Sequence, residues 1–510
     1  MLNTDKVREI SNDSRLNVME KEERLKRLFD SAYLDQSTTD TFDFAEELED
    51  MDWRLKVYLA SFKALHTKEA QDFEKLIEVI NSGTSIDISE LHYLYWQLTR
   101  TLFIYSSFNT PNNRKLLKEI YSSLYNFFDE QLDKENRWIV AEEREPDTFI
   151  VLINQFLSLQ HAPTKIALDH CKNIIEKLGK KVILINTAEM PRTKHFPYYD
   201  YTLFNYVKEY NGQKKVDYEG VDIPFYQVEG EFPSTVEING IIEMVMDIKP
   251  TCIFSVGDSN ITADLCSNFV PVVTLPTVSD FPVTEGTFVA LLKKLSESDP
   301  NRVSEYKHGA GSIINVDVRY VKARSAKTMN REDYGLLKED LVIAIVGNRL
   351  EQEIDTAFME NLDLLLESDP TLKIIFVGGF KEFHKYAQTY KKVSKRAKNL
   401  GYQEDLMAVY SLCDIYLNPK RLGGGISAAY ALQAGIPVLT APFGDVFEVV
   451  GGLNTVNDFA DIKKFILKWR EHDFKRKVLH DISNRANQIF DQNDTLETIL
   501  KQMEESPYFK

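Results

Sequence analysis

Asp414 to Thr440 reads DIYLNPKRLGGGISAAYALQAGIPVLT, and the punctuation of this stretch sets the fold class. Asp414–Leu417 is an apolar run of strand length, Asn418–Ile426 a loop, Ser427–Ala434 a short helix stopped at Gly435, and Pro437–Thr440 the next strand. The pattern is a βαβ unit entered through Gly423, Gly424 and Gly425. Glycines let a ligand approach the backbone closely, and a helix beginning near Ser427 directs unpaired N–H groups and a partial positive charge at the same spot. An anion is the expected occupant. Lys420 and Arg421 flank the loop and add formal charge, which favours a diphosphate over a neutral ligand. A tight turn without a ligand is the plainer reading of a glycine run; the Ala-Gly-Ile-Pro-Val turn that follows makes the signal more specific.

The same alternation extends outward. Leu341–Val346 and Lys373–Val377 read as strands around an amphipathic helix carrying Ile354, Phe358, Leu362, Leu365 and Leu366. Upstream, Thr148–Asn154, Lys181–Asn186, Cys252–Val256 and Val270–Leu275 read as buried strands separated by helices, the signature of a second parallel sheet. A polar stretch from about residue 296 to 338 is expected to connect the two units and to hold an edge element. Residues before about 140 carry long helical patterns with few glycines or prolines, and Phe459–Met503 is mainly helical. The expected organisation is therefore a helical region over 1–143, one Rossmann-like domain over 144–325 and another over 326–510, the two facing each other across a cleft with ligands at the carboxyl ends of the strands. The aromatic residues of the helical region, such as Tyr95, Trp96 and Tyr121, read as core packing; an acceptor-binding or oligomerising face is the sharper alternative.

The chain has 510 residues, 43% of them hydrophobic, and a formal net charge of -17. That length exceeds a single core. The acidic balance argues against broad nucleic-acid binding, so any phosphate site must be local. The start shows no signal-peptide pattern and no stretch is apolar enough to span a bilayer, from which cytoplasmic residence is expected. Cys171, Cys252, Cys266 and Cys413 lack metal-ligand spacing and read as buried free thiols.

With these pieces in place, residues 340 to 452 resemble the C-terminal half of a GT-B glycosyltransferase, above all the retaining enzymes of family 4, the glycosyl transferases group 1. Ile345 to Leu350 resembles the Gly-Arg-Leu segment after the first strand, Phe376 to Gly379 the next strand end, and Cys413 to Pro419 the strand before the glycine loop. The resemblance implies that Arg349 contacts the donor diphosphate, that the backbone of Gly423, Gly424, Gly425, Ile426 and Ser427 holds phosphate, and that Glu448 lies in the turn after the last nucleotide-binding strand. A surface ion pair is the alternative for Arg349. The chain departs from the family in one serious respect. The paired glutamates that flank this loop are here Leu422 and Tyr430, and only the phenol of Tyr430 retains a polar group for a ribose. The lysine that often follows the Arg-Leu pair is also missing, with Ile354 near its place, so Lys381, Lys420 or Arg421 is expected to substitute.

In the first α/β domain, Gln160–Thr164 follows the first strand and resembles the His-Pro-Thr loop of protein O-GlcNAc transferases. His161 is the catalytic candidate, as a base or as a hydrogen-bond partner of the transferring sugar, with a structural loop histidine as the alternative. Gly257–Asn260 is a further strand end at which Asp258 reads as a cleft residue or a helix cap. The resulting expectation is a metal-independent transferase that uses a nucleotide diphosphate sugar, UDP-linked, as substrate and needs no other cofactor. Its acceptor is a protein or glycan. The alternatives are an inactive GT-B partner or chaperone subunit of another transferase, and an epimerase or phosphorylase on the same fold.

Overall fold

The Ile-, Val- and Leu-rich runs assemble as two parallel sheets in a computed structural model that describes residues 4–33, 51–83, 86–132, 137–159, 161–293, 295, 299–325, 327–490 and 495–510. Gln160 and residues 296–298, the start of the expected connector, lie outside the described residues. The first sheet comprises β1 (Thr148–Ile153), β2 (Lys181–Asn186), β3 (Lys215–Tyr218), β4 (Val221–Gln227), β5 (Ile253–Val256), β6 (Val272–Leu275), β7 (Phe288–Leu291) and β8 (Ile313–Asn315). Its order is β3-β4-β2-β1-β5-β6-β7-β8, parallel apart from the β3–β4 hairpin. The second sheet comprises β9 (Leu341–Gly347), β10 (Leu372–Gly378), β11 (Ala397–Asn399), β12 (Ile415–Leu417) and β13 (Val438–Leu439), in the order β11-β10-β9-β12-β13. Each sheet reverses its strand order beside its first strand, at β1/β5 and at β9/β12, and such reversals open a crevice at the carboxyl ends of the strands.

Among the helices are α1 (Thr4–Asn12), α2 (Val18–Tyr33), α3 (Trp53–Thr67), α4 (Ala70–Asn81), α5 (Ile88–Ile104), α6 (Pro111–Asp129), α7 (Ala162–Glu176), α8 (Thr235–Ile248), α9 (Ile261–Cys266), α10 (Leu350–Glu353), α11 (Thr356–Ser368), α12 (Gly425–Gln433), α13 (Gly444–Val450), α14 (Phe459–Trp469), α15 (His472–Ile489) and α16 (Thr495–Glu505). Local chemistry fixes several of their starts. Asp87 and Glu90 form a reciprocal capping box at α5, and Thr110 caps α6 with Pro111 in its first turn.

The helical region does not pack as a separate body. Residues of α3 to α6 share one apolar cluster with Ile150 and Leu152 of β1, Ile185 of β2 and Ile253 of β5. Polar ties reinforce it: the Tyr95 and Ser259 hydroxyls meet at 2.6 Å, and Tyr121 O–H donates to Asp264 at 2.6 Å. Helix α16 departs from the expected grouping in the other direction. Its Leu496, Ile499 and Met503 are buried in the apolar cluster of the first sheet, and the helix packs on β8, where Gln502 Nε2 donates to Asn315 O at 3.3 Å, so the end of the chain crosses back to the first sheet. Apolar burial explains both contacts, because each sheet needs cover on two faces.

Candidate active site

The loops after β9 and β12 lie side by side at the crevice of the second sheet. Arg421 forms their common core. Its side chain is 4% exposed. Its Nε donates to Asn418 Oδ1 at 2.9 Å, Nη1 to Glu353 Oε2 at 2.8 Å, and Nη2 to Val346 O at 2.7 Å and Tyr416 Oη at 2.6 Å. Four of its five N–H groups are thus committed inside the protein. This corrects the expectation of Arg421 as a donor contact: it ties β9, β12 and the glycine loop together.

Two of the glycines answer to this arrangement. Gly424 has φ 103°, and a Cβ there would lie 2.7 Å from Arg421 Nε, so the loop backbone is laid against the guanidinium. A Cβ on Gly425 would lie 2.5 Å from the Tyr320 hydroxyl. Gly423 is buried, with Arg349 Nη2 and the Phe103 ring both 3.6 Å from its Cβ position. Close approach to the chain's own side chains therefore accounts for glycine at 424 and 425, whereas a Cβ at 423 would meet only ordinary contact. Helix α12 begins at Gly425, two residues before the start read from the sequence.

Arg349 follows β9 and precedes α10. Its side chain is 35% exposed, its Nη2 lies 3.5 Å from Glu353 Oε1, and its Cζ stands 4.4 Å above the Phe103 ring. Its buried Nε has no hydrogen-bond partner among the described residues. Burial pulls the guanidinium below its ordinary value, against the pull of Glu353, and Arg421 and Arg100 add repulsion. The cation is thus only loosely paired. Glu353, 3% exposed, serves both arginines; its place four residues after Arg349 was its only signal in the sequence. Ile354, at the missing lysine's place, is a core residue at 2% exposure.

Lys381 and Lys420 are exposed, Lys420 with its Nζ 5.6 Å from the Phe443 ring centroid. Ile426, Ser427 and Tyr430 are half-buried on α12. The Ser427 hydroxyl donates to Gly424 O at 3.1 Å. Leu422 is buried. Glu448 lies within α13, which corrects the expected turn; its carbonyl accepts from Arg485 Nη2 at 2.9 Å, and burial raises its carboxyl pKa. One clasp crosses between the domains, where Asp445 Oδ1 accepts from Ser279 N–H at 2.7 Å and from its hydroxyl at 2.8 Å.

On the first sheet, His161 stands immediately before α7, with Nδ1 3.1 Å from Thr164 Oγ1. Burial lowers its pKa, which keeps the imidazole neutral and able to accept a proton. At the neighbouring strand end, Asn260 caps α9 by accepting from Ala263 N–H at 2.9 Å, so the cap considered for Asp258 belongs to Asn260. Asp258 is instead a carboxyl that burial pushes up to about 6, between Gly257 at φ 99° and Ser259 at φ 57°. A group titrating there suits proton transfer near neutral pH. The four cysteines are buried free thiols. Among the described residues no cluster of His, Cys, Asp or Glu could hold a metal ion, and no helix is long and apolar enough to cross a membrane.

Two Rossmann-like domains with a crevice at facing strand ends, preceded by helices, define the GT-B class of glycosyltransferase folds. Within it, residues 340–469 match the family model described as Glycosyl transferases group 1. Among solved structures, the chain is similar to a mutant O-GlcNAc transferase of Thermobaculum terrenum, at 12% identity and TM-score 0.55 over 88% of this chain and 85% of that one. It is also similar to a glycosyltransferase of Rickettsia africae ESF-5, at 12% identity and TM-score 0.48 over 71% and 98% of the two chains. A third likeness is to MurG of Acinetobacter baumannii, at 11% identity and TM-score 0.41 over 70% and 100%. No curated protein matches the chain in sequence.

Proposed function

We propose that this protein transfers a sugar from a nucleotide diphosphate donor, UDP-glucose or UDP-N-acetylglucosamine, to an acceptor held by the first α/β domain, with a polypeptide side chain as the favoured acceptor. The observation that carries this reading is the loosely paired Arg349 beside the glycine loop and the start of α12, at the strand-order reversal of the second sheet. As the sugar–phosphate bond breaks, negative charge grows on the leaving diphosphate. Arg349, Lys420 and the N–H groups of Gly425, Ile426 and Ser427 stabilise that charge without rearrangement. His161 takes the acceptor proton or hydrogen-bonds the sugar, with Asp258 as the second titratable group at the same sheet edge. The chemistry needs no metal.

One feature favours a second reading, a GT-B subunit that binds a partner transferase without turning over a donor. Leu422 and Tyr430 occupy the positions of the family's paired carboxylates, and Leu422 is buried. Incubation with each UDP-sugar, with and without polypeptide acceptors, separates the readings. Release of UDP together with a mass increment on the acceptor supports transfer. Nucleotide binding without release supports the partner role, and isomerisation of UDP-N-acetylglucosamine alone supports an epimerase.

A further inference from the structure

Helix α5 belongs to the helical region, yet its last turn reaches the glycine loop of the other domain. The Phe103 ring lies under the Arg349 guanidinium, with Cζ 4.4 Å from the ring centroid, and 3.6 Å from the Cβ position of Gly423. Arg100 stands three residues earlier, so both side chains occupy one face of the helix, with Cβ atoms about 5–6 Å apart. Arg100 is half-buried, and its guanidinium makes no hydrogen bond or ion pair within 4 Å among the described residues. The charged and titratable groups that act on it are Asp200, Tyr105 and Tyr198, and its own charge acts on Arg349.

The charge balance of this corner is lopsided. Glu353 divides its two oxygens between Arg421 and Arg349, and the Arg349 contact is the longer, at 3.5 Å against 2.8 Å. Among the described residues, Asp200 is the one carboxylate whose charge acts on Arg100. Arg349 beside the loop and Arg100, one helical turn before Phe103, are thus both half-buried cations close enough to repel each other, with little to neutralise them. Holding cations out of water in this way is unfavourable unless an anion joins them.

We propose that the helical region completes the donor site, with Arg100 as a second phosphate-binding cation and Phe103 as the platform that holds the Arg349 guanidinium flat beside the loop. The proposal rests on the reading of the glycine loop as a diphosphate site. Its content lies outside residues 340–469, where the family match falls, and makes nucleotide binding a contact between the helical region and the second α/β domain. A donor would then tie α5 to α12.

The test is calorimetric titration of the 510-residue chain with UDP, uridine and inorganic pyrophosphate, on wild type, Arg100→Gln, Arg100→Lys and Phe103→Leu. Arg100→Gln is expected to weaken UDP and pyrophosphate by about tenfold or more, the loss of one charge-assisted contact, and to leave uridine unchanged. Arg100→Lys should recover part of the loss, and Phe103→Leu should weaken UDP several-fold. Wild-type UDP affinity in Arg100→Gln and Phe103→Leu overturns the proposal while leaving the diphosphate site standing. Should Arg100→Gln fail to fold, UDP affinity unchanged in both Arg100→Lys and Phe103→Leu overturns it equally. If the wild type itself binds neither UDP nor pyrophosphate, the reading of the glycine loop falls first and this proposal falls with it.

Discussion

Replacing Arg421 by methionine separates a structural arginine from a ligand-binding one. The substitution leaves Glu353, 3% exposed, as a carboxylate without its 2.8 Å partner, and strips donors from Asn418 Oδ1, Val346 O and the Tyr416 hydroxyl. An unpaired buried charge costs about 3–5 kcal/mol. The orphaned neutral acceptors carry about 1–3 kcal/mol each when desolvated, and relaxation of the loop prevents simple addition. A loss of about 3–5 kcal/mol from the second α/β domain is the resulting expectation. Hydrogen exchange followed by mass spectrometry reads it locally, as faster exchange of the β9 and β12 amides, and urea denaturation reads it globally. Combining Arg421→Met with Glu353→Gln removes the stranded charge and should restore part of the stability. If Arg421→Met unfolds at the wild-type midpoint while abolishing UDP binding, the buried-core account of Arg421 is refuted and the residue faces the ligand.

Four further outcomes follow from the geometry. Gly424→Ala places a Cβ 2.7 Å from Arg421 Nε at a φ of 103°, so thermal melts should show a loss of about 1–3 kcal/mol together with weaker UDP binding. Burial pushes the Asp264 and Glu189 carboxyls up to about 7. Their folded values exceed the unfolded ones, so their contribution is fully present below the ordinary carboxylate range and is lost as pH rises through about 7; the urea midpoint should fall over that interval, and Asp264→Asn should flatten the slope. Met503→Ala empties a fully buried position under the first sheet and should cost about 2–5 kcal/mol, with exchange rising in β8 although the two lie far apart in the chain. Tyr430→Glu puts a carboxylate on α12 in the proposed donor site, and calorimetry should show tighter UDP binding than wild type; weaker binding would mean that the phenol itself is the ribose contact.

Much of the fold was readable because parallel strands buried on both faces are continuous apolar runs. β2 matches its expected bounds, and β1, β9 and β10 fall within one or two residues. The β3–β4 hairpin and β7 were not read. They are short, and their positions depend on neighbours distant in the chain rather than on a local period. At the site, position in the sequence picked out the glycine loop, Arg349 and His161 as candidates, and the fold sets the first two side by side. It misjudged Arg421, because a basic residue beside glycines looks solvent-facing and its burial is decided by Glu353, 68 positions earlier. Arg100 and Phe103 carried no signal at all: within a helix rich in aromatic residues they read as ordinary packing, and only the fold brings that helix end to Gly423. Asp258 was left open between a cleft residue and a helix cap, and Asn260, two positions on, takes the cap, because nearby Asx residues at a strand end are indistinguishable without backbone geometry.

The central claim is that a nucleotide diphosphate docks between Arg349 and the start of α12. Titrating UDP into wild type and Arg349→Ala by calorimetry tests it most directly. The account predicts saturable one-to-one binding by the wild type and a loss of about tenfold or more in the variant, whose melting temperature should stay close to wild type because the Glu353 contact it removes is the looser of two. Equal affinity in the two proteins, or no binding by either, would contradict it.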